Sequence, residues 1–145
     1  MAGNFDPKTF TQKPFQQKIE KPWGYEILYS PSHAPTVGKL LRVNAGHKLS
    51  LQWHDAKTET LCLIKGKAIY VWENEQNKLV EHDMELYKGY FNMPGQTHRV
   101  IAVEDCDIIE TSTPESGNTY RIDDEYKRDT ETESIRKDKN RGWQS

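Results

Sequence analysis

The sequence predicts an all-β domain, a sandwich or small barrel of eight to ten short strands. Two observations carry this. Between residues 20 and 122 the apolar residues fall in short runs, separated by Gly, Pro, Asn and Asp at roughly 8–12-residue spacing. No long stretch with helical spacing competes with them in this middle section.

Taken in order, residues 1–18 hold Pro, Gln, Lys and Phe without periodicity and read as an arm, either disordered or packed along the domain or a partner subunit. Residues 20–26 lead into a first strand at 27–29, and 30–35, with two prolines, form a loop. Strands follow at 37–43, 49–54, 60–64 and 68–72, with a turn at 44–46. The polar stretch 73–78, with Asn74 and Asn77, is a hairpin turn, after which Leu79 and Val80 resume the strand. A turn at 87–89, a short strand at 90–93, Pro94-Gly95, and strands at 98–103, 107–112 and 120–122 complete the set. Residues 123–145 alternate acidic and basic side chains and read as a solvated helix or disordered tail. The organisation is thus an arm at 1–18, a domain at 19–128 and a charged tail at 129–145.

The formal net charge of −2 gives no reason to expect nucleic acid or an acidic membrane as a partner. No apolar run approaches the roughly 20 residues of a membrane helix, and residues 1–18 lack the apolar core of a secretion signal. The expectation is a cytoplasmic protein. Cys62 and Cys106 lie far apart within apolar runs and read as buried free thiols.

Residues 46–66, GHKLSLQWHDAKTETLCLIKG, carry the chemistry. Gln52 and His54 are two apart on a strand and face the same way. The polar turn 55–58 lets the chain double back and bring Glu59 to that face from a neighbouring strand. A carboxylate buried there without compensation costs many kcal/mol, so either a cation balances it or the face is open to water.

The spacing Gly46-x5-Gln52-x-His54-x4-Glu59-x6-Gly66 resembles the first motif of the cupin superfamily, with glutamine in place of the first histidine. The second cupin motif, P-x-G-x-x-H, is approximated by residues 93–98, where Gly95 and His98 keep their spacing and Pro94 sits one place late. The resemblance implies a double-stranded β-helix (a jelly-roll barrel) and a metal held by Gln52, His54, Glu59 and His98. Within the superfamily, Leu49-Ser50-Leu51-Gln52-Trp53-His54 resembles the L-S-L-Q-x-H of type II mannose-6-phosphate isomerases, the domain that follows a mannose-1-phosphate guanylyltransferase in bifunctional proteins. Lys21-Pro22-Trp23-Gly24, Lys39 and residues 121–128 match further features of that family, so the resemblance spans about residues 20–128. This sequence carries the isomerase-like portion alone. It departs from the family at residues 55–58, which replace a histidine-rich turn, and at Lys127, which replaces a glycine.

Two imidazoles, a carboxylate and an amide carbonyl suit Zn, Mn, Co, Ni or Fe as a divalent ion. The activity implied is interconversion of mannose 6-phosphate and fructose 6-phosphate through an enediol. That reaction needs a general base near C1 and C2, for which Glu59, Lys39 and His47 are open candidates. Arg121 and Lys39 are the expected phosphate contacts. The alternatives are a metal-bearing cupin acting on another small molecule, by a different sugar isomerisation or an O₂-dependent oxidation, and a non-catalytic sugar-binding module. By analogy with cupins that pair through their sheets, outward residues such as Cys62 and Ile64 suit a homodimer. Trp23 reads as a packing residue at the barrel mouth, Tyr70, Trp72, Tyr90 and Phe91 read as core or dimer-face residues, and His33 and His82 have no assigned role.

Overall fold

A computed structural model of the chain describes residues 3–139. Eleven strands form two antiparallel sheets. The first, in spatial order, holds β1 (Gln17–Lys21), β2 (Gly24–Leu28), β3 (Val37–Val43), β10 (Cys106–Ser112), β5 (Glu59–Lys65) and β8 (Gly89–Asn92). The second holds β11 (Thr119–Asp123), β4 (Leu51–His54), β9 (His98–Ala102), β6 (Ala68–Glu73) and β7 (Leu79–Asp83). After β1, β2 and β3, which share the first sheet, the chain changes sheet at every strand except between β6 and β7, as in a jelly roll.

The inner faces follow from period-two alternation. On β5 the residues Glu59, Leu61 and Leu63 are buried while Thr60, Cys62 and Ile64 are less so. On β10, Ile108, Glu110 and Ser112 point in. Along these strands the interior changes character. Val43 and Leu41 on β3, Ile108 on β10, Leu63 and Leu61 on β5, and Val100 on β9 build an apolar core around Tyr70 and Trp23. One or two places further along the same rows stand Lys39, Glu110, Glu59 and His98, all buried. One end of the barrel is packed hydrocarbon and the other is charged.

Glycines shape two approaches. Gly66 has φ +91°, and a Cβ there would lie 2.1 Å from the Asp105 carbonyl oxygen, so the β5–β6 turn admits no side chain. Gly24, at the β1–β2 hairpin, has φ +150° and its missing Cβ would meet the Arg42 carbonyl oxygen at 2.0 Å. Pro22 and Trp23 make that two-residue turn, which drops Trp23 into the core.

Three expectations need correction. A strand, β1, precedes the one expected first and begins at Gln17, inside the arm, because its backbone pairs with β2 from Gln17↔Leu28 to Lys21↔Gly24. Only Ile19 is apolar in its QKIEK sequence, so patterning could not reveal it. Residues 55–58 do not fold β5 back beside β4. They carry the chain from the second sheet to the first, so Glu59 meets His54 across the barrel and not along a ladder. The charged tail is not wholly solvated. Glu131 pairs with Thr119 through two backbone hydrogen bonds of 2.9 Å, and Arg128 and Glu131 are buried. The Thr132 hydroxyl then caps a single helical turn, α1 (Glu133–Arg136). The part of the tail expectation that falls on residues 140–145 lies outside the described residues. Both cysteines are free, Cys106 buried and Cys62 half-buried.

Candidate metal centre

A row of cross-strand partners runs over the second sheet: Arg121 on β11, Gln52 on β4, His98 on β9 and Trp72 on β6. Two residues along, Thr119 pairs with His54. Glu59 approaches from β5 in the facing sheet, so His54, Glu59 and His98 bring ligand atoms within 4.8 Å of one another. Glu59 Oε1 lies 2.7 Å from His98 Nε2 and 3.2 Å from His54 Nε2. All three residues are buried.

Both imidazoles are oriented from behind. His98 Nδ1 is 2.9 Å from the Gln96 carbonyl oxygen, which can only accept, so Nδ1 carries the hydrogen and Nε2 faces the site. His54 Nδ1 is 2.8 Å from the Thr119 hydroxyl, leaving Nε2 for the centre. Burial lowers the His54 pKa, as do Lys57 and His98 nearby, against the pull of Glu59, which favours the neutral ligand form. His98 Nε2, despite its closeness to Glu59, makes no hydrogen bond. A buried ring nitrogen aimed at a carboxylate oxygen without a shared hydrogen is what a cation between them would resolve. The donor set therefore fits a divalent metal. Gln52 is beside His98 in the same cavity, its Oε1 accepting from the Ser50 hydroxyl at 2.5 Å.

Outward from this group opens a cavity of about 80 Å³. Four expected site residues, Gln52, His54, Lys39 and Arg121, line it, while Gln52, Glu59 and His98 line its inner extension. His47 lines neither. Its Nδ1 is 2.7 Å from the Tyr126 hydroxyl and its ring stacks on that tyrosine.

The reading by motif missed a buried ionic network. Lys57, from the turn expected to be merely polar, is 5% exposed and reaches Glu59 Oε2 at 3.2 Å, Glu115 at 3.4 Å and Glu110 at 3.5 Å. Lys39 pairs with Glu115, with Glu110 at 3.8 Å and with Glu26 at 4.0 Å. Arg136 of α1 bridges Glu131 at 3.1 Å and Glu115 at 3.7 Å. Arg121 contacts Glu131 and the Asp129 carbonyl, and Arg128 forks onto Asp124. One signal for Glu110 was present: it is a lone charge at an inward position of the otherwise apolar run Ile108-Ile109-Glu110.

Burial alone would strip the charge from these groups, and the network decides which keep it. For Lys57, the pull of Glu110, Glu59 and Glu115 outweighs burial and holds the ammonium well above its ordinary range. Lys39 is raised in the same way by Glu115, Glu26 and Glu110. Burial pushes Glu59 up, but Lys57 and the two imidazoles prevail and hold it well below the usual carboxylate range. Glu115 is likewise held low by Lys39 and Lys57. Glu110 differs: burial raises it to about 7, because the lysines that would lower it are shared with Glu59 and Glu115, which repel its charge.

Stability should follow these signs. Glu59 and Glu115, depressed in the folded state, contribute stability that is present above their unfolded pKa and lost as pH falls through the folded one. Glu110, raised in the folded state, contributes stability that is full below its unfolded pKa and lost as pH rises toward about 7. His54, lowered in the folded state, opposes Glu110: its burial costs stability as pH falls below its unfolded pKa. Metal-free Glu110→Gln should therefore gain stability relative to wild type as pH rises from about 5 to about 7. Urea unfolding of both proteins across pH checks this; a difference that does not grow toward neutrality contradicts it.

The two-sheet barrel with this inward group defines the class: the chain has the cupin fold. Three solved structures illustrate it. Oxalate decarboxylase from Lactobacillus farciminis, solved as a formate complex, superposes with a TM-score of 0.66 at 17% identity, over 79% of this chain and 37% of that one. A deletion mutant of the Bacillus subtilis oxalate decarboxylase gives 0.66 at 17% identity, over 79% and 33%. KdgF from Halomonas sp. gives 0.57 at 15% identity, over 70% of this chain and 89% of that one. The chain thus spans about a third of the length of the oxalate decarboxylase chains it matches. At these identities the likeness is one of fold. No family profile and no curated protein matches the sequence. Among the described residues, no helix is long and apolar enough to cross a membrane.

Proposed function

We propose that the chain is a metal-dependent phosphosugar isomerase interconverting mannose 6-phosphate and fructose 6-phosphate. The observation that carries it is the His54–Glu59–His98 group, with its unbonded His98 Nε2, at the base of a cavity lined by acids and bases. His54, Glu59 and His98 would hold the ion, with the Gln52 carbonyl as a fourth donor. A divalent ion there would supply Lewis acidity toward the carbonyl of the open-chain sugar, worth several kcal/mol as negative charge develops. A fold shared with the Bacillus subtilis oxalate decarboxylase, which has Mn(II) centres, supports a metal at this place.

Arg121, beside Gln52 on the ladder, is the contact for the phosphate. A second reading, isomerisation of an unphosphorylated sugar, is favoured by one observation: Lys39, Lys57, Arg121 and Arg128 along the cavity each already face a carboxylate. Metal content and turnover of mannose 6-phosphate and of mannose by the purified protein test both readings. Arg121→Ala is expected to raise KM for the phosphorylated sugar about tenfold or more, with a much smaller change for the free sugar, since a charged hydrogen bond is worth about 1.5–3 kcal/mol. Equal effects on both sugars remove Arg121 from the phosphate site. The same reading takes the protein as a homodimer paired through the outer face of the first sheet near Cys62 and Ile64. Light scattering of the eluted species tests that point.

A further inference from the structure

The sequence offered three general bases, and the geometry disfavours each. Lys39 is buried among Glu115, Glu110 and Glu26, which keep its proton in place. His47 is turned to Tyr126, outside the cavity. Glu59 is gripped by two imidazoles and Lys57.

Glu110 is placed differently. It lines both the outer cavity, with Lys39 and Arg121, and the inner extension, with Gln52, Glu59 and His98, so it stands where the two meet. Its hydrogen bonds and ion pairs all fall on Oε2: Ser112 Oγ at 3.3 Å, Lys57 at 3.5 Å and Lys39 at 3.8 Å. Each of those lysines lies closer to another carboxylate, Lys57 to Glu59 and Lys39 to Glu115. Glu110 is therefore the least committed of the carboxylates in these contacts.

Resting on the isomerase reading above, we propose that Glu110 is a catalytic residue, the carboxylate that carries the proton between C2 and C1 of the sugar. In the forward step its carboxylate takes the C2 hydrogen as a proton. The C–H electron pair becomes the C1–C2 double bond, and the carbonyl pair moves onto O1, which takes the hydroxyl proton of O2. In the return step the O2 pair re-forms a carbonyl at C2, and C1 receives the proton from Glu110. Nothing is oxidised overall, and Glu110 ends as it began.

A base for this step must both accept and return a proton, and in the metal-free protein burial raises Glu110 above the ordinary carboxylate range, to about 7. The groups that set this are Lys39 on β3, Lys57 from the β4–β5 turn, Glu59 on β5 and Glu115 beyond β10. Burial raises the phenols of Tyr29 and Tyr70, and the charge of Glu110 adds to both.

The test compares wild type, Glu110→Gln and Glu110→Asp. Glu110→Gln should bind metal in the same stoichiometry and lose about a thousandfold in turnover, together with exchange of the C2 hydrogen into solvent. Infrared difference titration of the metal-free proteins should show a carboxyl that protonates near pH 7 in wild type and is missing in Glu110→Gln. Glu110→Asp, which keeps the charge but draws it back, should fold and retain partial turnover, which keeps the question open to test if the glutamine variant does not fold. Turnover of Glu110→Gln within about tenfold of wild type, undiminished turnover of Glu110→Asp, or no carboxyl titrating near neutrality overturns the role of Glu110 alone. A wild-type protein that isomerises neither phosphorylated nor free hexose overturns the isomerase reading, and this role falls with it.

Discussion

Lys57→Met is expected to cost about 3–5 kcal/mol of folding stability, the usual penalty for removing one partner from a buried ionic cluster. Lys57 reaches three carboxylates within 3.5 Å. Methionine matches its length and leaves little cavity, so the loss would come from charge and not from packing. Glu59, Glu110 and Glu115 would then share Lys39, Arg136 and the imidazoles. Their remedy is to take up protons, so the deficit should be larger at pH 8 than at pH 5, the reverse of a packing defect. Urea unfolding of both proteins at the two pH values measures it. A loss under about 1 kcal/mol at pH 8 would mean that water screens the cluster, and the description of this end of the barrel as a dry ionic network would fail.

His54→Ala should weaken divalent metal binding at least a hundredfold, since changes to groups that merely orient ligands already cost about 10–100-fold. Its fold should survive. The Glu59 carboxylate left behind keeps the Lys57 ammonium at 3.2 Å, so it is not orphaned. Titration calorimetry with Mn²⁺ or Zn²⁺ and the thermal midpoint of the metal-free variant separate the two effects. Undiminished metal affinity would refute the ligand assignment. A collapsed midpoint would show that the imidazole serves the core.

The contrast between these two substitutions marks what the sequence could reveal. The His54 motif was legible because ligand spacing is local: residues 52, 54 and 59 sit within one turn and two strands, with glycines at both ends. Strand β3 was legible from its own alternation over residues 37–43. Lys57 was not, because its partners Glu110 and Glu115 lie 53 and 58 residues away and a lysine in a polar turn has the composition of any exposed loop. The charged tail misled for another reason. Asp124, Arg128 and Glu131 look solvated one by one, yet Arg128 buries itself on Asp124 four residues away and Glu131 on Arg121. Hydropathy registers which residues avoid water, and complementary charges that pair and bury leave no mark in it. The sheet assignment of β4 and β5 was hidden for a related reason, since a four-residue polar turn serves a hairpin and a crossover equally well.

Thr119 joins two parts of the molecule that are far apart in the chain. Its hydroxyl steadies His54, while its backbone is clasped by Glu131. A ribosome delivers residues 52–98, with all four proposed ligands, well before the strand that orients one of them, and that strand before the segment that secures it. During synthesis the ligands would thus exist as a loose set until residues 119–131 have emerged. Any ion taken up earlier would be held by a looser set of ligands.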